Sequence, residues 1–317
     1  VNLDSDRLTE TELGHLRRLD VDLAAGTVTV TRQGAAGEAS WQTEHTYAFD
    51  DPAAFEAIAT AWLRVAWDVK YQWSFSWLGR PVIQLPEDLL RAQELVYRLR
   101  PDVILETGVA HGGSLIFYAT LCHAMGHGNV IGVELPRSPE QDHAREIMAH
   151  ELSDYVTIVK GDSVAAETVK LVTELIGLDE SVLLLLDSAH SKAHVLAELE
   201  AYTPLVKPGG YVVVQDGHMM QLAARHHGPR TERDWAWNNP LAAVREFVAA
   251  HPGWHLEPPA PPFDESVGLG EGVTHWTGGW LRRDETVDRL ASIIDAAPDR
   301  ETAYEQVRNV LDSTHAA

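Results

Sequence analysis

The chain has 317 residues, with 25 basic and 47 acidic side chains and a formal net charge of −22. That charge disfavours approach to nucleic acid or to an anionic membrane surface, and no uninterrupted apolar run approaches the about 20 residues that span a bilayer. Hydrophobic residues make up 45% of the chain, enough to bury the core of one large α/β domain or of a typical domain with additions.

The opening VNLDSDRLTE is polar and acidic, unlike a secretory signal. Short strands are predicted at 28–31 and 43–49, a small hairpin around the turn 34–39. Pro52 starts a helix. Phe55, Ile58, Ala59, Trp62, Val65, Ala66 and Val69 recur at three- and four-residue intervals and give it one apolar face. Trp67, Tyr71, Trp73, Phe75 and Trp77 crowd the next segment. They read as a core or subunit contact, with an aromatic wall around a substrate as the alternative. Another amphipathic helix spans 86–100.

From Pro101 strands and helices alternate. Strands are predicted at 103–106, 130–134, 156–159, 182–187 and 211–215, and helices at 113–125, 140–151, 164–176 and 191–202. Cys122 is the one cysteine of the chain. It lies in the apolar stretch 115–125, so it reads as a packed helix residue. No intrachain disulfide is possible, which fits a reducing, cytoplasmic location. The strands are almost continuously apolar, as expected where helices cover both faces of a mostly parallel sheet. A further helix at 240–250 and a strand at 279–283 follow. The long connections 217–239 and 258–277 read as lids or substrate-side loops, and the helical pattern beyond Asp284 as packing or oligomer structure. The expected organisation is an N-terminal extension over 1–100, an α/β, doubly wound, mostly parallel Rossmann-like core over 101–284, and a C-terminal helical extension over 285–317.

The first core strand runs into Glu106-Thr107-Gly108-Val109-Ala110-His111-Gly112-Gly113-Ser114, which opens a helix. Gly108 lets the chain pass close beneath a ligand, and Gly112 and Gly113 permit a tight turn. Neither the G-x-x-x-x-G-K-[ST] nor the full G-x-G-x-x-G pattern is present. Glu134 ends the next strand, where a carboxylate can bind ribose hydroxyls. Asp162, in Gly161-Asp162-Ser163 after the third strand, can bond an adenine amine. Glu106, Ser114 and Ser163 join these as cofactor-side candidates. Acidic groups at consecutive strand ends resemble the cofactor side of a class I methyltransferase.

Leu186-Asp187-Ser188-Ala189-His190 follows the fourth core strand, and Val214-Gln215-Asp216-Gly217-His218 the fifth. Asp187 and Asp216 offer hard oxygen ligands for Mg²⁺, and Gln215 a neutral amide oxygen. His190, three residues from Asp187, is placed to take a proton from a substrate at the same metal. Two helix-capping aspartates and a hydrogen-bonded histidine are the structural alternative.

The blocks WLGRPVIQLPEDL, RPDVILETGVAHGGSLIFYA, VIGVEL, LLLLDSAHSKAHVLAELEAYTPLVKPGGYVVVQDG and GGWLRR closely resemble the bacterial family of cephalosporin hydroxylases and rhamnosyl O-methyltransferases. The likeness covers most of residues 77–283. It implies a class I S-adenosylmethionine methyltransferase architecture, with Gly108, Gly112 and Gly113 in the cofactor loop, Glu134 at the ribose and Asp162 at the adenine. It also implies a divalent-metal site at Asp187 and Asp216 with His190 as the base, since related sugar methyltransferases carry an acidic residue three positions before a histidine. The family commonly has Glu-Asp where this chain has Gln215-Asp216. The resemblance implies S-adenosylmethionine and Mg²⁺ or another divalent cation as cofactors. It further implies methyl transfer to a hydroxyl of a small natural product, preferably a deoxysugar or glycosylated metabolite. A homo-oligomer is expected because the aromatic segment 62–77 and the added helices exceed what the central fold needs, and related proteins commonly associate. His218, His226 and His227 are additional polar candidates. The altered carboxylate and the aromatic N-terminal region also admit a catalytically weak binding or assembly subunit. A metal-dependent oxygenase, the third possibility, lacks a two-histidine-one-carboxylate pattern in the sheet core.

Overall fold

The structure is a computed structural model that describes residues 15–36, 39–136, 138, 142–223, 232–266 and 268–314. His226 and His227 lie outside the described residues.

Strands β1 (His15–Asp22), β2 (Thr27–Ala36) and β3 (Ala39–Ala48) form an antiparallel sheet in that order. The expected hairpin is β2–β3; β1 adds a strand that the reading of the sequence did not include. Helix α1 (Pro52–Asp68) follows, capped by the Asp51 side chain, which accepts from Ala53 N. Its packing corrects the expected face. Ala54 and Ala57 pack on Val28 and Val30, and Leu63 and Trp67 are also buried, as are Ala59 and Ala66 of the expected face, while Phe55, Ile58, Trp62, Val65 and Val69 are exposed. Small alanines allow the helix to approach the sheet closely, so the bulkier stripe is the one left outside.

A short hairpin, β4 (Phe75–Trp77) and β5 (Arg80–Val82), leads into α2 (Pro86–Leu99). The core then alternates β6 (Val103–Thr107), α3 (Gly113–Met125), β7 (Asn129–Glu134), α4 (Ala144–Met148), β8 (Val156–Lys160), α5 (Ala166–Leu175), β9 (Val182–Leu186), α6 (Lys192–Tyr202) and β10 (Tyr211–Val214). After β10 come a short α7 (Met219–Ala223), α8 (Pro240–Ala250), β11 (Trp254–Leu256), β12 (Trp280–Arg283), α9 (Thr286–Ala296) and α10 (Arg300–Thr314).

Seven strands form one sheet in the order β11-β12-β10-β9-β6-β7-β8. β10, β9, β6, β7 and β8 run parallel, and β12 and β11 add an antiparallel edge. Every residue of β6 and β9 is buried. One core cluster joins Leu89, Leu95 and Leu115 to one face of the sheet, and another joins Leu199, Val244 and Phe247 to the opposite face. Helices on both faces explain the continuously apolar strands. The chain winds outward from β6 through β7 to β8, then returns to β9 on the other side. The crevice therefore opens at the carboxyl ends of β6 and β9, the switch point where such sheets bind ligands. Cys122 is buried in α3, and burial pushes its thiol up to about 11. Among the described residues, no helix is long and apolar enough to cross a membrane.

Candidate active site

A cavity of about 450 Å³ opens at the carboxyl ends of β6, β7, β8, β9 and β10. Its first wall is the loop after β6. Gly108 has φ +87° and donates its amide to Val133 O at 2.8 Å. A Cβ there would lie 2.0 Å from the Asp187 carbonyl oxygen on the neighbouring connection, so this crossing requires glycine. Gly112, also left-handed, is the N-cap of α3, and a Cβ on Gly113 would stand 2.1 Å from Pro81 O. One carboxylate oxygen of Glu134 accepts Val109 N at 2.7 Å and Ala110 N at 2.9 Å, tying the end of β7 to the loop.

Gly108, Gly113, Ser114, Glu134, Asp162 and Ser163 all line the cavity. Asp162 also accepts Val164 N at 3.1 Å, and the Ser163 hydroxyl is 3.0 Å from His194 Nε2. Glu106 is placed differently. It is fully buried behind the loop, where it accepts Ser114 Oγ at 2.7 Å. Burial pushes its carboxyl up to about 8 despite that hydrogen bond.

The second wall carries the acidic cluster. His190 Nε2 stands 3.3 Å from Asp216 Oδ2, and donor atoms of Asp187, His190 and Asp216 all lie within 4.8 Å of one another. Asp216 adopts φ +59°, a conformation uncommon for a residue with a Cβ and one concentrated at functional sites. Burial and the facing charges of Asp216 and Glu106 push the Asp187 carboxyl well above the usual range. Burial also opposes ionisation of Asp216, but the imidazoles of His190, His218 and His275 outweigh it and hold its carboxyl low. Two carboxylates and an imidazole converging at this spacing suit a small divalent cation.

Gln215 is not among the groups at the cavity. It is 1% exposed, and its Oε1 accepts Gln84 Nε2 at 2.8 Å. Gln84, unlike Gln215, lines the cavity, as does Asp187. His218 is buried too, with Nδ1 donating to His275 O at 3.0 Å. Its ring lies parallel to that of His275, with centroids 3.8 Å apart and planes within 7°. In-plane lone pairs on parallel rings do not converge, so this pair does not form a chelate with Asp216, although all three are close. The His275 backbone is fixed by Asp88, whose carboxylate accepts His275 N at 3.0 Å and Thr274 Oγ1 at 2.5 Å.

Several cavity residues were not singled out as site residues from the sequence: Gln84, Gln72, Trp235, Met219 and His275. Gln84 carried a signal, a lone amide in the apolar run Pro81-Val82-Ile83-Gln84-Leu85. Trp67 and Trp73 line the cavity, so this part of the aromatic segment forms a wall as well as a core contact.

A family profile described as rhamnosyl O-methyltransferase/CmcI matches residues 69–284. The rhamnosyl O-methyltransferase of Mycobacterium leprae (strain TN) is 28% identical over 145 residues, 45% of this chain and 61% of that protein. That of Mycobacterium tuberculosis (strain H37Rv) is 29% identical over 136 residues, 42% of this chain and 52% of that protein. The chain thus spans between half and two thirds of the length of these curated relatives. Among solved structures, CmcI with Mg and SAM superposes with a TM-score of 0.45 at 19% identity, covering 67% of this chain and 77% of that one. MycE methyltransferase from the mycinamycin biosynthetic pathway, with Mg and SAH, gives 0.39 at 20% identity, covering 79% and 66%.

Proposed function

Because the chain belongs to the rhamnosyl O-methyltransferase/CmcI family, we propose that it is an enzyme that transfers a methyl group from S-adenosylmethionine to a hydroxyl oxygen of a small natural product, a deoxysugar or glycosylated metabolite. The observation that carries this is the convergence on one cavity of the Gly108 loop, the acidic ends of β7 and β8, and the Asp187–His190–Asp216 cluster.

In this proposal Gly108, Gly112, Gly113 and Ser114 cradle the cofactor. Glu134 holds the ribose hydroxyls, Asp162 and Ser163 the adenine side, and buried Glu106 supports the loop through Ser114. Asp187 and Asp216 hold Mg²⁺ or another divalent cation, and Gln215 holds Gln84 in the wall of the same cavity. When bound, the cofactor supplies an electrophilic methyl carbon, and the cation favours the alkoxide form of the acceptor. The residues of the chain do the rest. Asp216 faces His190 Nε2 and orients the ring, so Nδ1 is the nitrogen that receives the acceptor hydroxyl proton. Met219, Trp235 and His275, from the connections after β10 and β11, line the cavity and restrict water around the reacting oxygen.

His190 has a second possible role. Its convergence with both aspartates, while the Gln215 oxygen is engaged by Gln84, favours it as the third cation ligand. Incubating the chain with S-adenosylmethionine, Mg²⁺ and a panel of glycosylated metabolites, and measuring S-adenosylhomocysteine together with methylated product, tests the activity. S-adenosylmethionine binding without turnover on any hydroxylated acceptor would support the catalytically weak alternative, which Gln215 motivates.

We also propose a homo-oligomer. Phe55, Ile58, Trp62, Val65 and Val69 follow alternating three- and four-residue steps along the outer face of α1, the spacing of a helix-pairing seam. Sedimentation equilibrium reporting a monomer throughout a broad concentration range would reject it.

A further inference from the structure

The cofactor and cation roles leave one end of the cavity unused. Beyond Asp216 its wall consists of Trp67, Trp73, Trp235 and His275. Trp67 sits at the centre, its ring centroid 5.3 Å from Trp73, 5.9 Å from Trp235 and 6.0 Å from His275, with each neighbour steeply tilted to it. Such a box offers apolar ring faces to a flat or puckered ring.

Polar groups are set into this wall without partners. Gln72 lines the cavity, is 2% exposed, and has no hydrogen bond at either carboxamide atom. Trp67 Nε1 and His275 Nε2 are also buried and unpartnered. Buried polar groups are nearly always satisfied in folded proteins, so several orphans around one cavity mark a place where a bound molecule completes them. The charge of the cavity narrows the class further. Glu134, Asp162, Asp187 and Asp216 line it, and no Lys or Arg does among the described residues. An anionic acceptor would meet like charge with no cation side chain to pair it.

We propose that Gln72, Trp67, Trp73 and Trp235 form the acceptor subsite, and that it selects an uncharged ring bearing several hydroxyls over both anionic sugars and planar phenols. This rests on the methyl-transfer function proposed above. The tryptophan faces take the C–H face of the ring, while the Gln72 amide donates to one hydroxyl and accepts from another. A planar monophenol would stack equally well, but its single hydroxyl cannot satisfy both ends of the Gln72 amide and the Trp67 N–H together.

The test compares methyl β-D-glucopyranoside, methyl β-D-glucuronoside and phenol by saturation-transfer NMR on the full chain with S-adenosylhomocysteine and Mg²⁺. Calorimetry of S-adenosylhomocysteine runs in parallel on every variant. The glucoside is expected to bind, the glucuronoside to bind at least roughly tenfold more weakly, and Gln72→Leu to weaken the glucoside by roughly tenfold. Trp73→Ala, at a position 41% exposed and so tolerant of truncation, is expected to weaken glucoside binding while leaving S-adenosylhomocysteine affinity unchanged. Equal or tighter binding of the glucuronoside or phenol, no glucoside binding, or glucoside binding indifferent to both substitutions overturns the proposal. If S-adenosylhomocysteine still binds in those cases, the methyltransferase function stands and the subsite alone falls. If S-adenosylhomocysteine fails to bind while the glucoside signals remain, the reverse holds.

Discussion

Gln84 Nε2 donates to Gln215 Oε1 at 2.8 Å, joining two nearly buried amides that lie 131 residues apart in the chain. Gln84 lines the cavity alongside Asp187, so this bond ties the residue before Asp216 to the cavity wall. We predict that Gln215→Ala lowers stability by about 1–3 kcal/mol, because Gln84 loses a buried partner, with only a small change in Mg²⁺ affinity. Gln215→Glu instead adds a third carboxylate beside Asp187 and Asp216. Its Tm should fall in chelator and recover more on Mg²⁺ addition than that of the native chain. Thermal melts with and without Mg²⁺ check both.

His190 is separable as base or ligand. If it accepts the proton, His190→Ala keeps S-adenosylmethionine and metal binding and loses roughly 10²–10⁴-fold in single-turnover methyl transfer. His190→Gln, which can still make polar contacts, should be similarly slow. If His190 is instead a ligand, both substitutions weaken Mn²⁺ binding measured by electron paramagnetic resonance. Near-native rates for both variants would remove His190 from the chemistry altogether.

The Gly108 crossing makes a structural prediction. Alanine there combines an unfavourable φ with a Cβ lying 2.0 Å from Asp187 O. The φ alone costs about 1–2 kcal/mol, and relieving the clash must push apart the two connections that frame the site. Gly108→Ala should therefore lower Tm and weaken S-adenosylhomocysteine binding by more than about tenfold. A variant with native Tm and native affinity would show that the two backbones do not meet this closely.

The parallel sheet was legible because strands such as Val182–Leu186 are buried on both faces and read as unbroken apolar runs. The cradle was legible because the approach at Gly108 excludes other residues. Strand β1, with the sequence HLRRLDVD, carries more charge than apolar surface and gave no strand signal. In α1 the large side chains looked like the packing face, yet the alanines made the contact with the sheet. Hydrogen-bonded pairing of Gln84 with Gln215 has no local signature, since each residue is defined by a partner far along the chain. His275 sits in a Pro- and Gly-rich connection, where neither period nor motif marks a side chain that turns inward.

Buried carboxyls set the pH dependence of stability. Burial pushes Glu106 up to about 8 and Asp88 up to about 7. Both are therefore protonated in the fold at pH values where the unfolded chain has them ionised. Their contribution is fully present below the ordinary carboxylate range and is lost as pH rises through 7 and 8. Tm is expected to fall from about pH 4 to about pH 8 and to level off above that. Glu106→Gln, which can still accept from Ser114, should flatten the upper part of that fall. An unchanged pH slope in Glu106→Gln would contradict the protonated, buried state of Glu106.

The most direct test of the methyltransferase account is calorimetric titration of S-adenosylhomocysteine into the full chain, because it needs no knowledge of the acceptor. We predict a stoichiometry of roughly one per chain, an affinity weakened by at least about tenfold in Glu134→Ala, and little change in Gln72→Leu, which touches only the acceptor end. A chain that is folded by circular dichroism and thermal melt, yet shows no affinity for either S-adenosylhomocysteine or S-adenosylmethionine, would contradict the account.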